Sequence, residues 1–98
     1  MVHIAELPTF DMAEQLKTPE DIALYLQLAL DDDDPAELAH ALGIVARAHG
    51  MSEIAKASGI GREALYKALR PGSSPRFDTI ARVMKALGVK LTATPLQP

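Results

Sequence analysis

Ninety-eight residues, 48% of them apolar, suffice for one modest core and argue against a disordered chain. With no cysteine, the chain has no disulfide, thiolate metal site or cysteine nucleophile. The net charge of −3 conceals a division: residues 1–37 hold ten acids and one base, giving −9, while residues 38–98 hold nine bases and three acids, giving +6. Such asymmetry points to two partners of opposite charge or, more blandly, to two solvated faces of one domain. The opening MVHIAELPTF lacks the basic-then-apolar order of a signal peptide, and no apolar run approaches the ~20 residues that span a bilayer. A soluble, cytoplasmic protein is the expectation.

The first element announces itself at Thr18-Pro19-Glu20-Asp21, where a capping hydroxyl precedes a proline suited to the first helical position. The apolar pattern then runs to about Leu30. Ile22, Leu26, Ala29 and Leu30 share one face, with Tyr25 beside them, while Leu24 and Leu28 point the opposite way. A surface helix needs one apolar face, so the second calls for a partner. The run Asp31 to Asp34 fails as an EF-hand loop, because Ala36 and Leu42 stand where Gly and Glu are needed. It reads instead as a connector, with Asp34 capping the next helix.

That helix spans about residues 35–48, with Leu38, Ala41, Leu42 and Val45 on one stripe and Gly50 ending it. Two short helices follow, residues 51–58 and 61–69, with Gly59 between them. Residues 71–75, PGSSP, form a loop by composition. A fifth helix covers residues 77–87, with Phe77, Ile80, Ala81, Met84 and Leu87 inward and Gly88 as its stop. Residues 89–94 alternate and carry β-branched side chains, which suggests a short terminal strand.

The stretch IAKASGIGREALYKAL, residues 54–69, contains two short helices around a glycine turn, the arrangement of a helix-turn-helix. Ile54, Ala55, Ile60, Leu65, Ala68 and Leu69 are suited to the inside, Ala55 being small where Leu65 crosses it. Arg62, Glu63, Tyr66, Lys67 and Arg70 point outward, and Gly61 opens the helix. A polar, basic face with one aromatic suits the major groove of DNA. Ser52 and Arg76 are placed for phosphates. The overlapping dinucleotide fingerprint, Gly59 to Ala64 with Asp78 beyond, lacks the strand and the βαβ unit it requires.

Residues Met51 to Leu69 resemble the helix-turn-helix of Cro-like repressors. Nearly the whole chain, through EDIALYLQLAL, DDDDPAELAHALGIVARAHGMSEIAKASGIGREALYKAL and FDTIARVMKALGVKL, resembles the HigA-like antitoxins encoded beside RelE/ParE-type toxins. The resemblance implies an all-α Cro-like bundle of about five helices that neutralises a basic toxin protein and represses its own operon as a homodimer on double-stranded DNA. Two departures stand out: Gly61 replaces a polar cap at the recognition helix, and Ser58 occupies a turn position more often apolar.

On this reading the chain divides into an acidic partner-binding segment, residues 1–33, and a DNA-binding domain, residues 34–98, able to fold without it. Leu24, Tyr25 and Leu28 anchor the toxin, with Asp31, Asp32 and Asp33 steering it. The alternative is a plain phage-type repressor without a toxin; a third reading is an adaptor that binds protein only. His3, His40 and His49 do not cluster as metal ligands, and Arg82 and Lys85 read as a solvated face. No nucleophile–base pair or paired carboxylate emerges, so neither an enzyme nor a cofactor is expected.

Overall fold

The computed structural model describes residues 16–96, within which lie five α-helices: α1 (Pro19–Leu30), α2 (Ala36–His49), α3 (Met51–Ser58), α4 (Arg62–Ala68) and α5 (Phe77–Ala86). His3 and the acids Glu6, Asp11 and Glu14 lie outside the described residues. Among the described residues no helix is long and apolar enough to cross a membrane.

Local chemistry sets each helix end. The Asp21 amide donates to Thr18 Oγ1 at 3.1 Å, and Pro19 occupies the first position of α1. Between α1 and α2, Gln27 Nε2 donates to Asp31 Oδ1 at 2.9 Å, and the Asp34 amide donates to Asp32 Oδ1 at 2.8 Å. Asp34 Oδ1 in turn accepts the Ala36 amide at 2.9 Å. The acidic run therefore folds its own connector. Gly50 and Gly59 end α2 and α3 at φ 117° and 74°, angles that side chains with a Cβ rarely adopt. Ser58 suits its turn position: its hydroxyl donates to the Ala55 carbonyl and accepts the Ile60 amide, both at 3.3 Å. Ser73 donates to the Ala68 carbonyl, satisfying the end of α4 from the following loop.

The helices meet in one buried cluster. α1 packs on α2, α2 on α3, and α3 on both α4 and α5. Ile22 and Leu26 of α1 join Leu42 and Val45 of α2, Ile54 of α3, Leu65 and Leu69 at α4, and Val83 of α5, all essentially inaccessible. Leu16, ahead of α1, is buried with them. The core thus runs across the boundary expected between residues 33 and 34. A chain starting at Asp34 would lose Leu16, Ile22 and Leu26, each large apolar side chain stabilising by roughly 1.5–3 kcal/mol.

Two sequence expectations are corrected. Phe77 is not inward but 68% exposed. It is the first residue of α5 and follows the extended Arg76, so no preceding turn lies beneath its ring. The inward stripe is Ile80, Val83, Met84 and Leu87, and its centre, Val83, was not picked out by periodicity. The terminal strand is also absent: residues 89–96 have no regular structure, and no strand occurs among the described residues. A strand requires a neighbour for its backbone groups, and none lies alongside among the described residues.

The tightest approach is at Gly43 in α2. A Cβ there would stand 2.6 Å from the Leu69 carbonyl oxygen and 3.1 Å from the Arg47 guanidinium. The first neighbour is backbone and cannot rotate away. Gly43→Ala is expected to destabilise by about 1–3 kcal/mol through overpacking, although alanine favours helix. Denaturant unfolding checks this; a neutral or stabilising result would show that the two helices separate freely.

Candidate nucleic-acid and partner interfaces

α4 has two unlike sides. Leu65 and Leu69 are buried, whereas Arg62, Glu63, Tyr66, Lys67 and Arg70 are exposed. The Arg62 guanidinium carbon lies 5.6 Å from the centre of the Tyr66 ring, one turn along. Such stacking contributes about 0.5–1 kcal/mol at an exposed site and holds a planar donor group over an aromatic face. Gly61, exposed, caps α4 with φ −58° and ψ 143° but offers no side-chain hydrogen bond. Ser52, also exposed, stands in the first turn of α3.

Arg76 precedes α5 and is exposed, and its Nε donates to Asp78 Oδ1 at 3.0 Å. That bond is the first of several influences holding the Asp78 carboxyl below its ordinary pKa. The pair orients Arg76 and partly offsets its charge, a feature the sequence reading did not include. Lys67 and Arg76 border one shallow cleft between α4 and the loop of residues 71–76, with Ser73, Ser74 and Thr79 along it. The eight residues assigned to DNA are all accessible: five lie together on α4 and its end, and Arg76 joins them through this cleft.

The assigned partner residues divide differently. Leu24 and Leu28, one turn apart, are 68% and 65% exposed. Nothing in the described chain covers them. Tyr25 is half-buried and packs on the core, so it backs the exposed leucines more than it anchors alone. Beside it a groove passes Leu28, Asp32, Glu37 and His40. Burial first, and the Glu37 charge second, push the Tyr25 hydroxyl above its ordinary pKa. Asp31 and Asp32 accept hydrogen bonds within the connector, and Asp31, Asp32 and Asp33 are all exposed. Phe77 is an accessible apolar side chain that periodicity had sent inside; the signal that could have found it is its place directly after a non-helical residue.

These features coincide with a family assignment. Residues 6–95 match the family model of probable addiction module antidote proteins. The chain belongs to that family. An uncharacterized protein of Haemophilus influenzae strain Rd is 47% identical over 85 residues, covering 87% of this chain and 88% of its own. No solved structure matches. An antidote protein implies a toxin as partner, and the matched span includes both the exposed leucines of α1 and the basic face of α4.

Tyr25 offers a spectroscopic check on its setting in the antidote protein. With Tyr66→Phe it becomes the one tyrosine in the chain. Ultraviolet titration is expected to place its ionisation above the ordinary tyrosine value, and Glu37→Gln should bring it part of the way back, burial being the larger cause. Ionisation at or below the ordinary value would contradict the packing.

Proposed function

We propose that this antidote protein is the antitoxin of a type II toxin–antitoxin module, neutralising a RelE/ParE-like toxin and repressing its own operon in the cytoplasm. α3 and α4 serve as a Cro-like helix-turn-helix, with α4 in the major groove and a homodimer spanning two half-sites of the operator. The observation that carries the DNA half is the outward set Arg62, Tyr66, Lys67 and Arg70 on a helix held to the core by buried Leu65 and Leu69. Arg62 and Lys67 are suited to base edges, and Ser52, Arg70 and Arg76 to phosphates. The role is one of binding, not catalysis.

Exposed Leu24 and Leu28 support the toxin half. A nuclease that grips RNA presents a basic surface, so the acids of α1 and its connector would speed encounter while the leucines slow release. This separation explains how an acidic protein can read DNA. A plain repressor has no use for two uncovered leucines on a helix followed by a run of acids, and that feature favours the antitoxin reading.

Arg62→Ala is expected to reduce discrimination between operator and random duplex by about 1–3 kcal/mol in gel-shift titration. Unchanged selectivity would remove Arg62 from the reading face. For the toxin, Leu24→Asp with Leu28→Asp should weaken binding through the off-rate, and more than Asn at positions 31, 32 and 33, which should chiefly slow association. Both leucines are exposed, so the helical fold should survive. If the double leucine variant still protects cells expressing the neighbouring toxin, the outer face of α1 is a solvated surface and the plain-repressor reading takes its place.

A further inference from the structure

One carboxylate stands in the middle of the basic face of α4. At about 100° per residue, the direction opposite the buried pair Leu65 and Leu69 passes through Lys67, with Glu63 about 40° to one side. Glu63 is exposed, at the second position of the helix. Lys67 lies one turn on, at the spacing where a glutamate and a lysine commonly pair. Yet the two form no ion pair, and among the described residues the Glu63 carboxylate accepts no hydrogen bond. The fold makes no use of it.

Gly61, two residues earlier, is equally unexplained by the fold. Its φ of −58° and ψ of 143° suit any residue, and a Cβ there would meet nothing within 4 Å. Neither backbone conformation nor crowding calls for a missing side chain at this place. What the glycine leaves is room for another molecule to approach the first turn of α4 closely.

We propose that Glu63 reads a base, accepting a hydrogen bond from the exocyclic amino group of a cytosine in the major groove. This rests on the reading of α4 as a recognition helix, whose first turn is the part that meets base edges. A carboxylate facing a polyanion is repelled unless a donor meets it. Guanine and thymine present acceptors in the major groove, whereas adenine N6 and cytosine N4 present donors. Adenine sets its N7 acceptor beside N6, against the second carboxylate oxygen. Cytosine has only C5–H beside N4, which does not repel it. Cytosine is the base that fits. The cations of α4 attract any duplex, and Glu63 turns away those without a cytosine at its position, so selectivity comes from the one anion among them.

The test needs no known operator. The full-length chain selects duplexes from a random library, with Glu63→Gln and Glu63→Ala run beside it. The wild type should enrich sites with cytosine at one fixed position of the motif. Glu63→Gln, which adds a donor, should move that preference to adenine, and Glu63→Ala should accept all four bases there while the other positions hold. In gel-shift titration, changing this cytosine to thymine should lower wild-type affinity about ten- to a hundredfold and that of Glu63→Ala by about twofold at most. Affinity for random duplex should rise in both variants, one repulsive charge being gone. A cytosine preference that persists in Glu63→Ala overturns the inference, and so does an enriched wild-type motif without such a position. Equal loss of affinity for selected and random duplexes in both variants also overturns it, because Glu63 would then only support α4; thermal unfolding of the three chains reports that separately. A wild type that enriches no sequence defeats the recognition-helix reading itself, an outcome distinct from the failure of Glu63 alone.

Discussion

The approach of α2 to the end of α4 governs the rest of the molecule. At Gly43 the absence of a side chain lets the α2 backbone press on the Leu69 carbonyl, and that contact sets how deeply α4 sits. Seated there, Leu65 and Leu69 are closed off from solvent. A seven-residue helix has too few internal bonds to persist alone, so its direction is imposed from behind. Its outward face is consequently held rigid: Arg62, Tyr66 and Lys67 are presented by packing they do not take part in. Ser58 before the helix and Ser73 after it complete the support by satisfying backbone groups at both ends.

The acidic part of the chain is bound into the same core. Ile22 and Leu26 are as deeply buried as any residue of α2, while Leu24 and Leu28 on the same helix remain open. α1 is therefore both a structural wall and an accessible surface. The connector after it lines a cleft in which Asp32 and Asp34 stand with Ser74, Pro75 and Ile80. Asp31, Asp32 and Asp34 of that connector accept hydrogen bonds within it, so its acids are partly used in folding it.

Helix starts, stops and types were legible because they depend on neighbours in sequence. Thr18 and Pro19 open α1 as expected, Gly50 and Gly59 end their helices by backbone conformation, and the bounds of Met51–Ser58 follow from those glycines. The outward residues of α4 were legible for a similar reason, since a buried leucine pair dictates which positions remain. Phe77 was misplaced because periodicity assumes a helix surrounded by protein along its length, and the first residue of α5 is not.

The sequence by itself determined five helices, their order, the polar face of α4 and the separation of charge, because caps, glycines and 3.6-residue periodicity act within a turn or two. Only the tertiary structure decided that α1 belongs to the core and that Gly43 is a contact point. It also decided that Arg76 is held by Asp78 and that residues 90–96 find no strand partner among the described residues. The physical reason is the same in each case. Whether an apolar face is covered, a glycine is crowded or a strand finds a neighbour depends on surfaces brought together from distant parts of the chain, and no local pattern encodes that distance.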